Sequence, residues 1–424
     1  MNTGFLGLFA MPFAASSDAP SPPERQTRRT IRFLNWAHAL DHFVMLIFPT
    51  VVIGAAGLEG VYGRSYAELI ALGTASFVAF GVFSLPAGWL ADRWSRRSMM
   101  VLFYLGCGLS LLGAGLAADL YLLAIALFAL GMFAAIYHPV GMAMLIEASN
   151  ARGRVLAFNG VCGNLGAALA AGITALLASY FGWRMAFLVP GAICIATGIV
   201  YLAMSSDDRH HAARRVSAPA VRLPPRAMIW MFVCFFIVAV TAGLAFNVIS
   251  VALPKIVDER LGQDVPLLLV GGLATAVFVC GAIAQLAVGR LTDRYSPHVL
   301  FAIIVVLEFA GILWATYATG VTLLFALALA MGAIYGQVTV NDMVIARYTA
   351  DAWRGRVYAV RYFLIFITSG AGVAIIAFLH GRGGFDLVLA AMAGVAFLLM
   401  LGVFGIVAII NRHEGAAVAA QPAE

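Results

Sequence analysis

The sequence predicts an all-α, polytopic membrane protein of twelve transmembrane helices arranged as two pseudo-symmetric six-helix bundles. Three observations lead there. Of 424 residues, 63% are hydrophobic and only 11% charged, with a mean hydropathy of +0.96; soluble domains run at roughly 45–50% apolar and about 25% charged, so a water-soluble globule, a disordered chain and a nucleic-acid binder are excluded. Apolar runs long enough to cross a bilayer, at about 20 residues each, occur twelve times. Landmark motifs of the first half return in the second.

Taken in order, residues 1–32 form a tail. Its short apolar run, Phe5 to Ala15, lacks the Lys or Arg that would open a signal peptide. Arg25, Arg28, Arg29 and Arg32 hold this end on the cytoplasmic side. The first bundle occupies 33–204, with spans Phe33–Ala55, Tyr66–Ala91, Ser98–Leu116, Asp119–Ala143, Val155–Tyr180 and Arg184–Met204. A polar cytoplasmic linker, 205–226, follows. The second bundle, 227–411, holds Ala227–Val251, Pro266–Val288, Pro297–Ala318, Val321–Ala346, Val357–His380 and Phe385–Ile410, and 412–424 form a second cytoplasmic tail.

Charge placement supports this topology. The chain has 26 basic residues and a formal charge of +6, and Lys255 is its single lysine. With the N-terminus inside, 20 of the 26 fall on the cytoplasmic side and five outside, with Arg361 alone inside a span. That is the positive-inside bias, so the net charge needs no nucleic-acid or acidic partner. The cysteines, Cys107, Cys162, Cys194, Cys234 and Cys280, fall singly in apolar stretches, and are read as buried packing residues without disulfides or metal spacing.

The halves repeat one another. Gly88-Trp-Leu-Ala-Asp92-Arg93-Trp-Ser returns as Gly289-Arg-Leu-Thr-Asp293-Arg294-Tyr-Ser, Arg152-Gly-Arg-Val155 returns as Arg354-Gly-Arg-Val357, and His42 with Pro49 matches Asn247 with Pro254. Parallel repeats of this kind place a substrate path between bundles near the midplane. The Gly-x-x-x-Asp-Arg-x-x-Arg-Arg string at Gly88, Asp92, Arg93, Arg96 and Arg97, between the second and third spans, resembles the signature loop of the major facilitator superfamily. Three further segments are similar to the fosmidomycin-resistance-like branch of that superfamily: Ala37-His38-Ala-Leu-Asp41-His42, Ile136-Tyr137-His138-Pro139, and Gly160-Val-Cys-Gly163-Asn164-Leu-Gly166. The resemblance implies a proton-driven exporter working by alternating access. The chain departs from the branch at Asp41-His42, where Asn-Asp is usual, and at Val140, where an acidic residue often stands.

Asn35, His38, Asp41 and His42 recur at helical spacings of 3 and 4, which puts a polar stripe on one face of the first span. Asp at a helix centre costs about 2.5–3.5 kcal/mol on insertion scales, so such a stripe faces the bundle interior or a wet cavity. It is read as a proton-coupling cluster, with a helix–helix hydrogen-bond network as the rival. His138, beside the kinking Pro139, is placed near Asp41. Gly160, Gly163 and Gly166 form a face for close helix approach, and Asn164 is grouped with the proton-coupling and cavity residues, with a hydrogen bond to substrate as its expected role. Asn35 in the first half and Asn247, Gln337, Asn341 and Arg361 in the second are candidate substrate contacts. Arg361 has two readings, an ion pair with Asp342 that closes the cytoplasmic side, or an anion-binding group. Gly88, Asp92, Arg93, Arg97, Asp293, Arg294 and Asp342 are read as gating residues that bias the inward-closed state. No role is assigned to Glu308.

No nucleotide-binding P-loop, catalytic set or cofactor motif is present, so the expected driving force is a proton gradient and no enzyme activity is expected. Export of a drug or metabolite across a bacterial inner membrane is the reading, with proton-coupled uptake of a small organic anion through Arg361 as the alternative. The expected partners are a small molecule, protons and the bilayer, with a monomer sufficient for the architecture.

Overall fold

The computed structural model describes residues 22–148, 152–205, 224–262, 265–348 and 351–419. The tail up to residue 21, linker residues 206–223, with Arg209, Arg214, Arg215 and Arg222, and the last five residues lie outside the described residues. Among the described residues every regular element is helical.

The first span is α1 (Pro22–Met45) continued by the short α2 (Ile47–Val51), with Leu46 as the joint. Helix α1 begins eleven residues before the apolar run that starts at Phe33. Hydropathy marks the membrane, not the helix, and arginines propagate a helix well in water. Helix α3 (Leu58–Tyr62) ends at Gly63, whose φ of +61° is a left-handed cap. A capping box starts α4 (Tyr66–Arg93): Ser65 Oγ accepts the Glu68 N–H at 3.3 Å, and the Glu68 carboxylate accepts the Ser65 N–H at 3.0 Å. Ser95 and Asp119 cap α5 (Arg96–Leu116) and α6 (Leu120–Ala134) in the same N-terminal manner. The fourth span continues through a π-helical turn, Tyr137–Gly141, into α7 (Met142–Ala148). Pro139 has no N–H to donate inside that turn, so the predicted disturbance at His138-Pro139 takes the form of a local widening.

Helices α8 (Arg152–Phe181) and α9 (Met185–Met204) complete the first half, and α10 (Pro225–Leu261), α11 (Leu267–Leu291), α12 (Pro297–Tyr317) and α13 (Gly320–Tyr348) follow. Helix α14 (Asp351–Ala419) is two spans in one, broken where Gly383 and Gly384 leave helical geometry, Gly384 with φ +59°. Ten described helices are long and apolar enough to cross a membrane, one of them the 51-residue stretch Phe363–His413. Dividing that stretch at its glycines and adding α1–α2, whose polar stripe lowers its hydropathy, makes twelve. Large apolar side chains such as Leu109, Ile283, Phe325 and Phe378 point outward, as lipid-facing residues do.

Helix α1 packs on α8, α4 on α6, and α5 on α6 and α9, while in the second half α10 packs on α14, α11 on α13, and α12 on α13 and α14. Across the halves α4 meets α14, α8 meets α11 and α2 meets α10. We call the end bearing the Arg93–Arg97 junction the basic end. All five cysteines are free; Cys107 and Cys194 are buried, but Cys280 is exposed on α11, against expectation, because its helix face is turned to lipid rather than to another helix.

Candidate functional site

The polar stripe of α1 faces inward against the π-helical turn and α8. Asp41 is 1% exposed and His38 8%. His138 Nε2 lies 3.3 Å from Asp41 Oδ2, so the pair expected across the first half is formed. The ring of His38 is centred 4.9 Å from that of His42 and 5.4 Å from that of His138, and it stacks on Tyr137 at 4.8 Å. Three imidazoles and one carboxylate therefore share a single buried pocket. Asp41 Oδ1 has no hydrogen-bond partner.

A second layer fixes these groups. His38 Nδ1 donates to the carbonyl of Asn159 at 2.8 Å, which sets the tautomer with Nε2 unprotonated in the neutral ring. Asn159, fully buried, receives the Tyr137 hydroxyl at 3.0 Å and donates to Asn35 Oδ1 at 3.0 Å and the Leu34 carbonyl at 3.3 Å. Asn35 is thus a bracing residue in this arrangement. The close approach of α8 to α1 needs glycine at two places. A Cβ on Gly163 would stand 2.5 Å from His38 Nε2, and one on Gly166 only 2.0 Å from the Ala39 carbonyl oxygen. Gly160 has nothing within 4 Å of its Cβ position, so it does not share the contact. Steps of three residues drift about 60° around a helix, which separates Gly160 from Gly166 by about 120°.

Asn164 points away from this pocket and donates to Gln285 of α11, which in turn donates to Thr339 of α13 at 3.2 Å, giving a polar chain across the halves. In the second half Asn247, counterpart of His42, is committed to helix–helix bonds: it donates to the Gly243 carbonyl at 2.8 Å and accepts from Ser369 at 3.0 Å. Gln337 and Asn341 are buried with Oε1 and Oδ1 unpartnered. Asn341 and Arg361 line a small cleft between α10, α13 and α14. Arg361 does pair with Asp342. Both belong to the second half, however, so the pair ties α13 to α14 and does not bridge the halves.

The gating motif is likewise engaged within one half. Arg96 bonds Asp92 at 3.2 Å and also Glu147, Arg93 stacks over the Trp89 ring, and Arg97 donates to Ser205 and to the Leu202 carbonyl. Gly88 lies against Pro139, its Cβ position 3.2 Å from the proline ring. Asp293 and Arg294 are exposed, with no ion pair recorded among the described residues.

Charge closure between the halves is found at the opposite end, away from the predicted gating residues. Lys255 of α10 donates to Glu59 of α3 at 2.7 Å and to Asp258 at 2.8 Å, with Glu259 at 3.7 Å. Glu259 reaches His380 of α14 at 2.9 Å, and His380 packs edge-on against Tyr66 of α4. Lys255 is 6% exposed, and losing a buried partner strands the carboxylates gathered around it. Lys255→Met is expected to weaken this closure by on the order of 1–3 kcal/mol, given partly exposed partners, and so to shift the open population at this end by about 5- to 150-fold. Distances between spin labels at Val61 and Arg382 would lengthen in that variant and return in Lys255→Arg.

Glu308 lies on α12, fully buried, with neither carboxylate oxygen bonded. An unsatisfied buried polar group costs about 1–3 kcal/mol. Glu308→Leu is therefore expected to raise the unfolding temperature of the detergent-solubilised protein.

Sequence reasoning missed Asn159 as the hub of the first half, Gln285, and the Glu59–Lys255 bridge. A lone Gln in an apolar eighth span and a lone lysine were the available signals.

Comparison with known proteins places this geometry among transporters. The Major Facilitator Superfamily profile matches residues 34–272 and 235–423. The puromycin resistance protein pur8 of Streptomyces alboniger is 30% identical over 153 residues, 35% of this chain and 30% of that protein. A probable L-galactonate transporter of Escherichia coli (strain K12) is 24% identical over 208 residues, 46% of each chain. The chain thus aligns with less than half the length of these curated relatives. Among solved structures, a bacterial homologue of the human lysosomal transporter Spinster, inward-facing and unoccupied, superposes with TM-score 0.68 at 13% identity, covering 96% of this chain and 100% of that one. That likeness speaks to the fold alone.

Proposed function

The chain belongs to the Major Facilitator Superfamily, and from that premise we propose that it is a secondary active transporter that exports a small molecule in exchange for protons by alternating access. The observation that carries the reading is the buried Asp41–His138 pair, set among His38 and His42 in a lipid-embedded bundle. A carboxylate and imidazoles held together away from water are groups whose proton occupancy can change as a passage switches sides. The two halves, 33–204 and 227–411, rock about the midplane. The protein lies in the inner membrane of a bacterium as a monomer, with its basic end and both termini cytoplasmic. The Lys255 network then seals the periplasmic side, which corresponds to an inward-facing state. Export follows the motif resemblance to the fosmidomycin-resistance-like branch.

The second reading is proton-coupled uptake of a small organic anion, favoured by the cleft beside Asn341 and Arg361. Opening it requires Arg361 to leave Asp342 for a substrate carboxylate. Deletion and overexpression strains, challenged with a panel of antibiotics and metabolites at two external pH values, decide between them. Export predicts that deletion sensitises cells to a compound or makes them accumulate it. Uptake predicts failure to grow on it. No phenotype at either pH across the panel counts against both.

A further inference from the structure

We propose that His38, His42 and His138, with Asp41, form a binding site for a divalent transition-metal cation of the zinc, cobalt or nickel class. The sequence contains no Cys-x-x-Cys and no recognised Cys/His spacing, so this site is a product of the fold. His38 and His42 stand one helical turn apart on α1, and the π-helical turn delivers His138 to the same face. One nitrogen from each of the three rings lies within 4.8 Å of the other two. Tetrahedral coordination at about 2.0–2.1 Å needs nitrogens some 3.4 Å apart, a closure that rotation of the two half-buried rings, His42 and His138, can supply.

Three features of the surroundings are those of a metal site. His38 is held through Nδ1 by the Asn159 carbonyl at 2.8 Å, which leaves the Nε2 lone pair for a ligand; outer-shell bonds of this kind fix ligating imidazoles. Gly163 keeps space open beside that Nε2, since a Cβ there would intrude to 2.5 Å. Asp41, 1% exposed, contacts His138 through Oδ2 while its Oδ1 has no hydrogen-bond partner. The orphaned oxygen is a further donor, and the carboxylate supplies the charge that favours a dication over a neutral guest. Neutral imidazoles with a carboxylate select zinc, cobalt and nickel over magnesium or calcium, which take all-oxygen sites. The inference concerns binding and holds whichever way the protein transports.

The test uses the full-length protein in detergent, with its affinity tag removed and metals stripped by a chelator. Titration with Co²⁺ is expected to produce visible d–d absorption that saturates at one equivalent, is displaced by Zn²⁺ and is untouched by Mg²⁺. The double variant His42→Ala/His138→Ala should weaken Co²⁺ binding at least about 100-fold, and the single variant His42→Gln should weaken it too if the double variant elutes as an aggregate. His38 is left in place because it braces α1 against α8. Absence of saturable absorption in the wild-type protein overturns the proposal, as does equal binding in a well-folded variant. A strain panel without phenotype would leave this result unaffected, so the site and the transport reading fail separately.

Discussion

Asp41→Asn is expected to abolish proton-driven flux while leaving the helical bundle folded. Asn preserves the volume of a side chain that is 1% exposed, so packing between α1 and its neighbours survives. What disappears is the carboxylate 3.3 Å from His138 Nε2, the single acidic group of that buried cluster. In liposomes loaded with the compound returned by the strain panel, an imposed pH gradient should drive flux through the wild-type protein, and flux through the Asn variant should fall to that of protein-free vesicles. Exchange of labelled for unlabelled compound without a gradient should persist, because alternation itself does not need Asp41. Undiminished gradient-driven flux in a variant with wild-type elution and melting would remove Asp41 from the coupling mechanism.

Gly166→Ala should be among the most damaging single methyl groups in the first half. The added Cβ would meet the Ala39 carbonyl oxygen at 2.0 Å and its carbonyl carbon at 2.7 Å, and backbone cannot rotate out of the way as a side chain can. Helices α1 and α8 must separate, which stretches the His38–Asn159 and Asn159–Asn35 bonds together. Overpacking costs typically about 1–3 kcal/mol, and a backbone collision belongs at the top of that range. Gly160→Ala, six residues earlier on the same helix with open space at its Cβ position, is the matched control. It should be neutral or stabilising by about 0.5–1 kcal/mol through helix propensity. Thermal unfolding in detergent separates the two, and equal melting temperatures would show that α1 and α8 yield more easily than their contact implies.

Much of this molecule is legible from residue order alone. Hydropathy marks the spans because lipid rewards apolar side chains one by one, and helical spacing is enough to put His38, Asp41 and His42 on one face. Pairings between distant segments are another matter. Glu59 and Lys255 are 196 positions apart, and nothing local to either announces the other. Asp342 and Arg361 do meet, but the pair ties two helices of one half together and so does not close the halves on each other. Asn159 sits beside the small residues of the fifth span with nothing in the residue order to single it out. It becomes a hub only because glycines let α1 come close enough to share its amide. The early start of α1 is hidden in the residue order for a related reason, since arginines interrupt hydropathy without interrupting a helix.

The solitary lysine also gives the molecule a built-in chemical reporter. Lys255 carries the single side-chain primary amine of the chain, and in this state it is sequestered among carboxylates. An acylating reagent added from the face that bears Lys255 would therefore leave its mark at one internal position only, and chiefly during the moments when that face parts. The yield of one modified peptide, followed by mass spectrometry over time, would count openings of the native sequence with no engineered label at all.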